Sequence, residues 1–220
     1  GITGADTLVQ RCGISAGGFD TEVTANGGVP AFVKLDFADG DAQRDYIIVQ
    51  AGASPAIRTI LGSNSCTSIS SSYTDSTTGI ANEPALDMAV GDVNGDGKKD
   101  VAILTLNKVW VATGNNNGTF NPATATALEG DEEALLLVDI DNDGDLDLLT
   151  AYDAHPNTDY PEVGHVVVRL NTGSGSWGSP ISYSVSPNPT NLAVGDLNGD
   201  GVKDIVVGSR SFGTVTVIER

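Results

Sequence analysis

Three ten-residue segments of this chain align without a gap, and they constrain its fold more than any other feature. They are Gly91-Asp-Val-Asn-Gly-Asp-Gly-Lys-Lys-Asp100, Val138-Asp-Ile-Asp-Asn-Asp-Gly-Asp-Leu-Asp147 and Gly195-Asp-Leu-Asn-Gly-Asp-Gly-Val-Lys-Asp204. Short apolar runs precede them (Met88 to Val90, Leu135 to Val138, Leu192 to Val194) and follow them (Val101 to Leu104, Leu146 to Leu149, Ile205 to Val207). Brief, nearly continuous runs of Val, Ile and Leu fit strands buried on both faces, so each acidic segment reads as a turn between two strands.

The similarity reaches upstream of the loops. An aromatic residue stands 19 positions before the first Asp of each: Tyr73 before Asp92, Phe120 before Asp139, Trp177 before Asp196. Between a loop and the next aromatic lies a further strand, as in Val109 to Val111 or Val166 to Val168. A unit of about 50 residues with four antiparallel strands is the pattern of a propeller blade. The expected fold is therefore all-β, a β-propeller-like array of four blades with four antiparallel strands each. A fourth, irregular copy lies at Asp36 to Asp45, which reads as one residue too long and carries Ala42 where Gly belongs. The blades are placed at residues 31–80, 81–127, 128–184 and 185–220 of a single domain spanning 1–220. The last unit lacks its fourth strand, and the stretch Gly18 to Ala25 resembles Gly118 to Ala125. Residues 1–30 are thus expected to complete the last blade, either of the same chain or, by strand donation, of a neighbour.

Counted from the first Asp, oxygen-bearing side chains fall at positions 1, 3, 5 and 9. These are Asp92, Asn94, Asp96 and Asp100; Asp139, Asp141, Asp143 and Asp147; Asp196, Asn198, Asp200 and Asp204. Position 6 is Gly97, Gly144 or Gly201, which permits a sharp bend, and position 7 (Lys98, Asp145, Val202) offers its carbonyl. Six to eight oxygens on a tightly curled loop suit Ca²⁺, and the loops hold no Cys or His for a softer metal. Position 12 would be Ile103, Thr150 or Val207 rather than the bidentate Glu of an EF-hand, so the site closes at position 9 within a β-hairpin. About three Ca²⁺ ions are expected, with a fourth at Asp36 to Asp45 in doubt.

The charge agrees with clustered metal sites. Acidic residues number 29 against 11 basic ones, a formal −18, and 11 of the Asp residues stand in the three loops. So negative a surface repels nucleic acid and anionic lipid, and no apolar run is long enough to span a membrane. No signal peptide opens the sequence at Gly1, which fits either a cytosolic protein or one whose leader has been removed. Cys12 and Cys66 read as one disulfide if the protein is exported, and otherwise as two buried thiols.

From about Gly17 onward the pattern apolar-Gly-Asp-x-Asn-Gly-Asp-Gly-x-x-Asp-apolar, with a Gly-aromatic turn before the next unit, resembles the FG-GAP/VCBS repeat of integrin α-subunit propellers and of many secreted bacterial proteins and lectins. The resemblance implies a β-propeller with calcium in the hairpin between the first two strands of a blade, and an extracellular setting. Family propellers commonly have seven blades and this chain has four, leaving a closed ring, part of a larger propeller or an open array as alternatives.

Little points to catalysis. Gly13-Ile-Ser-Ala-Gly17 has the G-x-S-x-G spacing but precedes a turn and strand, where a nucleophile elbow needs a helix. His155 and His165 flank an insertion, Asp153 to His165, expected on the side opposite the loops, and Asn117-Gly-Thr119 is a glycosylation sequon or a plain turn. The expected function is a non-catalytic, calcium-stabilised extracellular structural protein that self-assembles as a homo-oligomer or polymer. The alternatives are a lectin- or adhesin-like module for a glycan or cell-surface ligand, and an accessory domain of a secreted enzyme.

Overall fold

The computed structural model describes residues 7–13, 19–26, 30–62, 72–154, 163–210 and 213–220, with side chains from residue 31 on, Ala154 apart. Among these the chain is all β, with seventeen strands and no helix. Strands β1 (Thr7–Gly13) and β2 (Phe19–Asn26) form a separate two-stranded antiparallel sheet. The first large sheet holds β3 (Pro30–Asp36), β4 (Asp45–Gln50), β5 (Ala56–Ile60) and β6 (Thr74–Thr77) in chain order. The second holds β7 (Asp87–Gly91), β8 (Asp100–Thr105), β9 (Lys108–Ala112) and β10 (Thr124–Ala127). The third holds β11 (Glu132–Val138), β12 (Asp147–Ala154), β13 (Val163–Arg169) and β14 (Ile181–Val185). The fourth has three strands, β15 (Pro189–Gly195), β16 (Asp204–Ser209) and β17 (Thr214–Ile218).

The burial gradient across a sheet follows the sequence. The second strand is the most apolar, and β8 is buried at every residue. The fourth strands β6 and β10 read Thr-Asp-Ser-Thr and Thr-Ala-Thr-Ala and are mostly exposed. Such short, Thr-rich strands keep β preference at a sheet edge without adding apolar surface.

Two expectations change. Asp36 stands opposite Asp45 just as Gly91 stands opposite Asp100, so the first loop has the same length as the others rather than an extra residue. The stretch Gly18 to Ala25, expected to complete the last blade, lies largely in β2, which pairs with β1 from Thr7 opposite Asn26 to Gly13 opposite Phe19. The disulfide reading of Cys12 and Cys66, His155, and Ile14 to Gly17 lie outside the described residues or side chains.

The single domain expected over 1–220 divides into two compact units, residues 1–85 with 112–123, and 86–111 with 124–220. In the first unit, the turn before β10 is tied to the first sheet: the Phe120 N–H donates to Ser76 Oγ at 3.0 Å, and the Ala123 N–H to the Thr78 carbonyl at 2.8 Å. In the second unit three sheets stack in order, with β11 against β7 and β8, and β15 against β11 and β12. Ala102, Leu104 and Val109 meet Leu135 and Leu148 in one layer of core; Leu149, Val166 and Val168 meet Ile205 and Val207 in the next.

Candidate metal centre

Each acidic loop leaves the first strand of its sheet and ends on the first residue of the second. It curls because positions 4 and 6 adopt left-handed backbone: Gly95 and Gly97 (φ 73° and 81°), Asn142 and Gly144 (64° and 98°), Gly199 and Gly201 (82° and 86°). Glycine reaches this region freely, and Asn is among the few other residues that tolerate it.

The curl turns successive amides toward the carboxylate at position 1. Asp92 accepts from Gly95, Asp96 and Gly97 at 2.8, 3.1 and 2.7 Å. Asp139 accepts from Asp143 and Gly144, and Asp196 from Gly199 and Gly201. Position 3 (Asn94, Asp141, Asn198) accepts from position 5, and position 5 (Asp96, Asp143, Asp200) from the amide of position 7. At position 7 the main-chain amide is what all three loops share. The Lys98 ammonium pairs with Asp96 at 3.2 Å, the Asp145 carboxylate lies beside Gly173, and Val202 is exposed. The amide of Lys98 first, and its ammonium next, hold Asp96 below the usual carboxylate range.

Position 9 differs from the rest. Asp100, Asp147 and Asp204 are fully buried, and each Oδ2 accepts the amide of position 2: Val93 at 2.9 Å, Ile140 at 2.8 Å, Leu197 at 3.0 Å. The other oxygen of Asp147 takes the amide of Asn171, and that of Asp204 the amide of Arg220, each just past the third strand of its sheet. One carboxylate therefore ties three chain segments together. Burial pushes the Asp147 carboxyl up, and the neighbouring charges of Asp141 and Asp143 add to this against the two amide bonds.

Carboxylates converge in the third sheet. One oxygen each from Asp139, Asp141 and Asp147 lie within 4.8 Å of one another. Three carboxylates so close repel unless a cation sits among them, and an all-oxygen donor set suits a hard one. The residues fit: Asp139, Asp141 and Asp147 would hold the ion, and a divalent charge would offset two of their three negative charges. The second and fourth loops present the same arc with Asn94 and Asn198 at position 3.

The first loop shows what the pattern needs. Phe37 stands at position 1 and supplies no oxygen. Gly40 keeps the left-handed turn of position 4 (φ 78°), but Ala42 at position 6 stays outside that region. Asp39 and Asp41 keep their turns, and Asp45 stays fully buried, accepting Ala38 N–H at 2.7 Å and Gly62 N–H at 2.7 Å.

A set of contacts not foreseen from the sequence joins the first three loops to the element that follows. The carbonyl of position 2 is the shared acceptor. Ala38 accepts from Gly118 N–H at 3.0 Å, Val93 from Asn171 Nδ2 at 2.7 Å, and Ile140 from Arg220 Nη1 at 2.8 Å. Asn171 Nδ2 also donates to the Leu146 carbonyl, and Lys203 Nζ donates to the Asp139 carbonyl with the Asp139 carboxylate 3.8 Å away. These partners lie 59 to 80 residues apart for the contacts of Asn142 with Gly201 and of Ile140 with Arg220, beyond the reach of local pattern. Elsewhere, His165 stacks on Tyr152 and meets Ser182 Oγ through Nδ1, and Asn117 Oδ1 accepts both Thr119 N–H and its hydroxyl, as a turn residue does.

Among curated proteins, nothing matches the chain. Among solved structures, the chain is similar to these three. One is a lectin of Agrocybe aegerita described as recognising non-reducing terminal N-acetylglucosamine, at 17% identity and TM-score 0.43, covering 84% of this chain and 65% of the lectin. The others are BBS1N in complex with ARL6DN, soaked with mercury (17% identity, TM-score 0.47, 88% and 59% covered) and soaked with lead (15%, 0.46, 87% and 58%). The chain thus spans about three fifths of the length of the solved chains it matches. The model of the FG-GAP-like repeat matches twice, over residues 92–150 and 139–207, together more than half of the chain. With its acidic loops set between the first two strands of successive sheets, this chain belongs to the FG-GAP-like repeat family.

Proposed function

We propose that this chain is a non-catalytic, calcium-stapled extracellular structural protein that assembles with copies of itself, its sheets arranged as propeller-like blades. The observation that carries the calcium role is the convergence of one oxygen each from Asp139, Asp141 and Asp147 within 4.8 Å of one another. Ala38, Val93 and Ile140 are held from outside their loops, so a loop that loses its shape also loses a contact with the next element. Calcium is then a repeated structural staple rather than a signal. Exposed loops whose carboxylates already serve backbone amides suit the calcium levels outside cells, where such modules bind at about 10⁻⁴–10⁻³ M. Three Ca²⁺ ions add six positive charges and bring the formal −18 to −12.

Removing the ions leaves carboxylates within a few ångströms of each other, each close pair costing about 1–4 kcal/mol. A domain has only about 5–15 kcal/mol in total. Excess EDTA should lower the melting temperature by about 10 °C or more, at roughly 2–4 °C per kcal/mol for a chain of this size. A melting curve unchanged by chelator would overturn the structural role of calcium, and a chain that stays monomeric at all concentrations would overturn self-assembly.

A further inference from the structure

Two faces of the molecule repeat an interface that the second unit already uses. There, the third sheet receives the fourth on a face that includes Val166 and Val168, exposed by 0% and 2%. By register, the same face of the fourth sheet carries Val215 opposite Gly208 and Val217 opposite Val206, as Val166 stands opposite Ala151 and Val168 opposite Leu149. Val215 and Val217 are 68% and 47% exposed. An open hollow of about 540 Å³ lies there, lined in part by Asn191, Gly208 and Val215.

The complementary half lies on the first sheet. In the third sheet Leu135 and Leu137, four and two residues before position 1 of the loop, face the second sheet, and Leu135 is 7% exposed. The matching residues of the first sheet are Val33 and Leu35, exposed by 40% and 51%. The loops agree. Position 2 is buried where a following element docks (Val93 and Ile140), but Leu197, its counterpart in the fourth loop, is 57% exposed. At position 8, Lys203 reaches back to Asp139 of the preceding loop. The first sheet carries the exposed Arg44 at position 8, and the fourth loop offers Asp196 at position 1.

We propose that a second copy of this chain docks its first sheet, through Val33 and Leu35, onto the exposed face of the fourth sheet at Val215 and Val217. Arg44 then lies toward the fourth acidic loop. This rests on the self-assembly reading above and names its surface. Alternating apolar residues left in water on both halves gain by mutual burial, and the charges at the rim are opposite. The two patches differ, so the contact is heterologous and propagates head to tail unless its rotation closes a ring.

Sedimentation of the 220-residue chain in calcium, from micromolar to near-millimolar concentration, tests this. The mass should rise with concentration. Leu35→Glu and Val215→Glu, at exposed positions, should each leave only monomer. Their equimolar mixture should form a species of two chains and nothing larger, because one intact copy of each patch remains. Arg44→Asp, which leaves the apolar faces untouched, should weaken assembly several-fold at low salt. Assembly unaffected by all three substitutions would overturn this surface while leaving self-assembly standing. A wild-type chain that is monomeric throughout would overturn both.

Discussion

Asp45 has no exposed surface, and its two carboxylate oxygens accept main-chain hydrogens from Ala38 and Gly62. It does so in the loop where Phe37 has replaced the first metal-type oxygen, so this work needs no cation. Desolvation raises its pKa, and the amide bonds oppose that rise. Asp45→Ala would strand the buried Ala38 N–H, at about 1–3 kcal/mol, and the half-buried Gly62 N–H at less, for a loss of about 2–4 kcal/mol in urea unfolding. The loss should be equal with and without calcium; one that appears only with calcium would mean that the first loop binds metal after all. Glu132 gives a different kind of signal. It is fully buried, its Oε1 accepts only a long bond from Gly130 at 3.4 Å, and its Oε2 has no partner. Pro30 and Pro189 occupy the corresponding irregular position in the first and fourth sheets. Burial pushes the Glu132 carboxyl from 4.5 up to about 7. Between those values the native state keeps a proton that the unfolded chain has released, so stability falls as pH rises through that window, by about 3 kcal/mol in all. Glu132→Gln should remove that part of the slope; an identical pH profile of melting temperature in the variant would show that Glu132 does not cause it. Neither residue's burial is legible in sequence: Glu132 sits among Asp131 and Glu133 as if on a solvated face.

At the scale of the element, the acidic loop is a nine-residue turn with two requirements, an oxygen at position 1 and a left-handed backbone at position 6. The first loop lacks both. Its register and its position-9 anchor are intact, so the scaffold for a site remains. Phe37→Asp with Ala42→Gly should therefore raise the calcium stoichiometry by one ion in isothermal titration. A count that stays the same would mean that position 1 and the curl do not define the site. The strands around the loops were legible because Val, Ile and Leu recur in short runs at a fixed distance from each Asp cluster. The sequence makes the first loop look one residue too long because Asp36 resembles a first ligand, whereas it is the last residue of β3. Only pairing with Asp45 reveals which carboxylate belongs to the strand and which position Phe37 has taken.

Across the whole molecule, 11 of the 29 acidic residues stand in three short loops, and cationic side chains link neighbouring elements around them. Lys203 and Arg220 both reach the third loop, and Arg169 pairs with Glu129 at 2.6 Å beside β10. Each such contact links one sheet to the element before it, which is why a repeat array carries its stability at the junctions between repeats as well as within them. The same logic makes Val33, Leu35, Val215 and Val217 notable, because they are junction residues without a junction. The sequence by itself determined the all-β character, the repeat and the oxygen donors of the loops, since these depend on residue type at short, regular spacing. Only the tertiary structure decided the division into two units, the burial of Glu132, and the position-2 carbonyls as docking points. Those features depend on hydrogen bonds and burial between residues tens of positions apart, which no local spacing encodes.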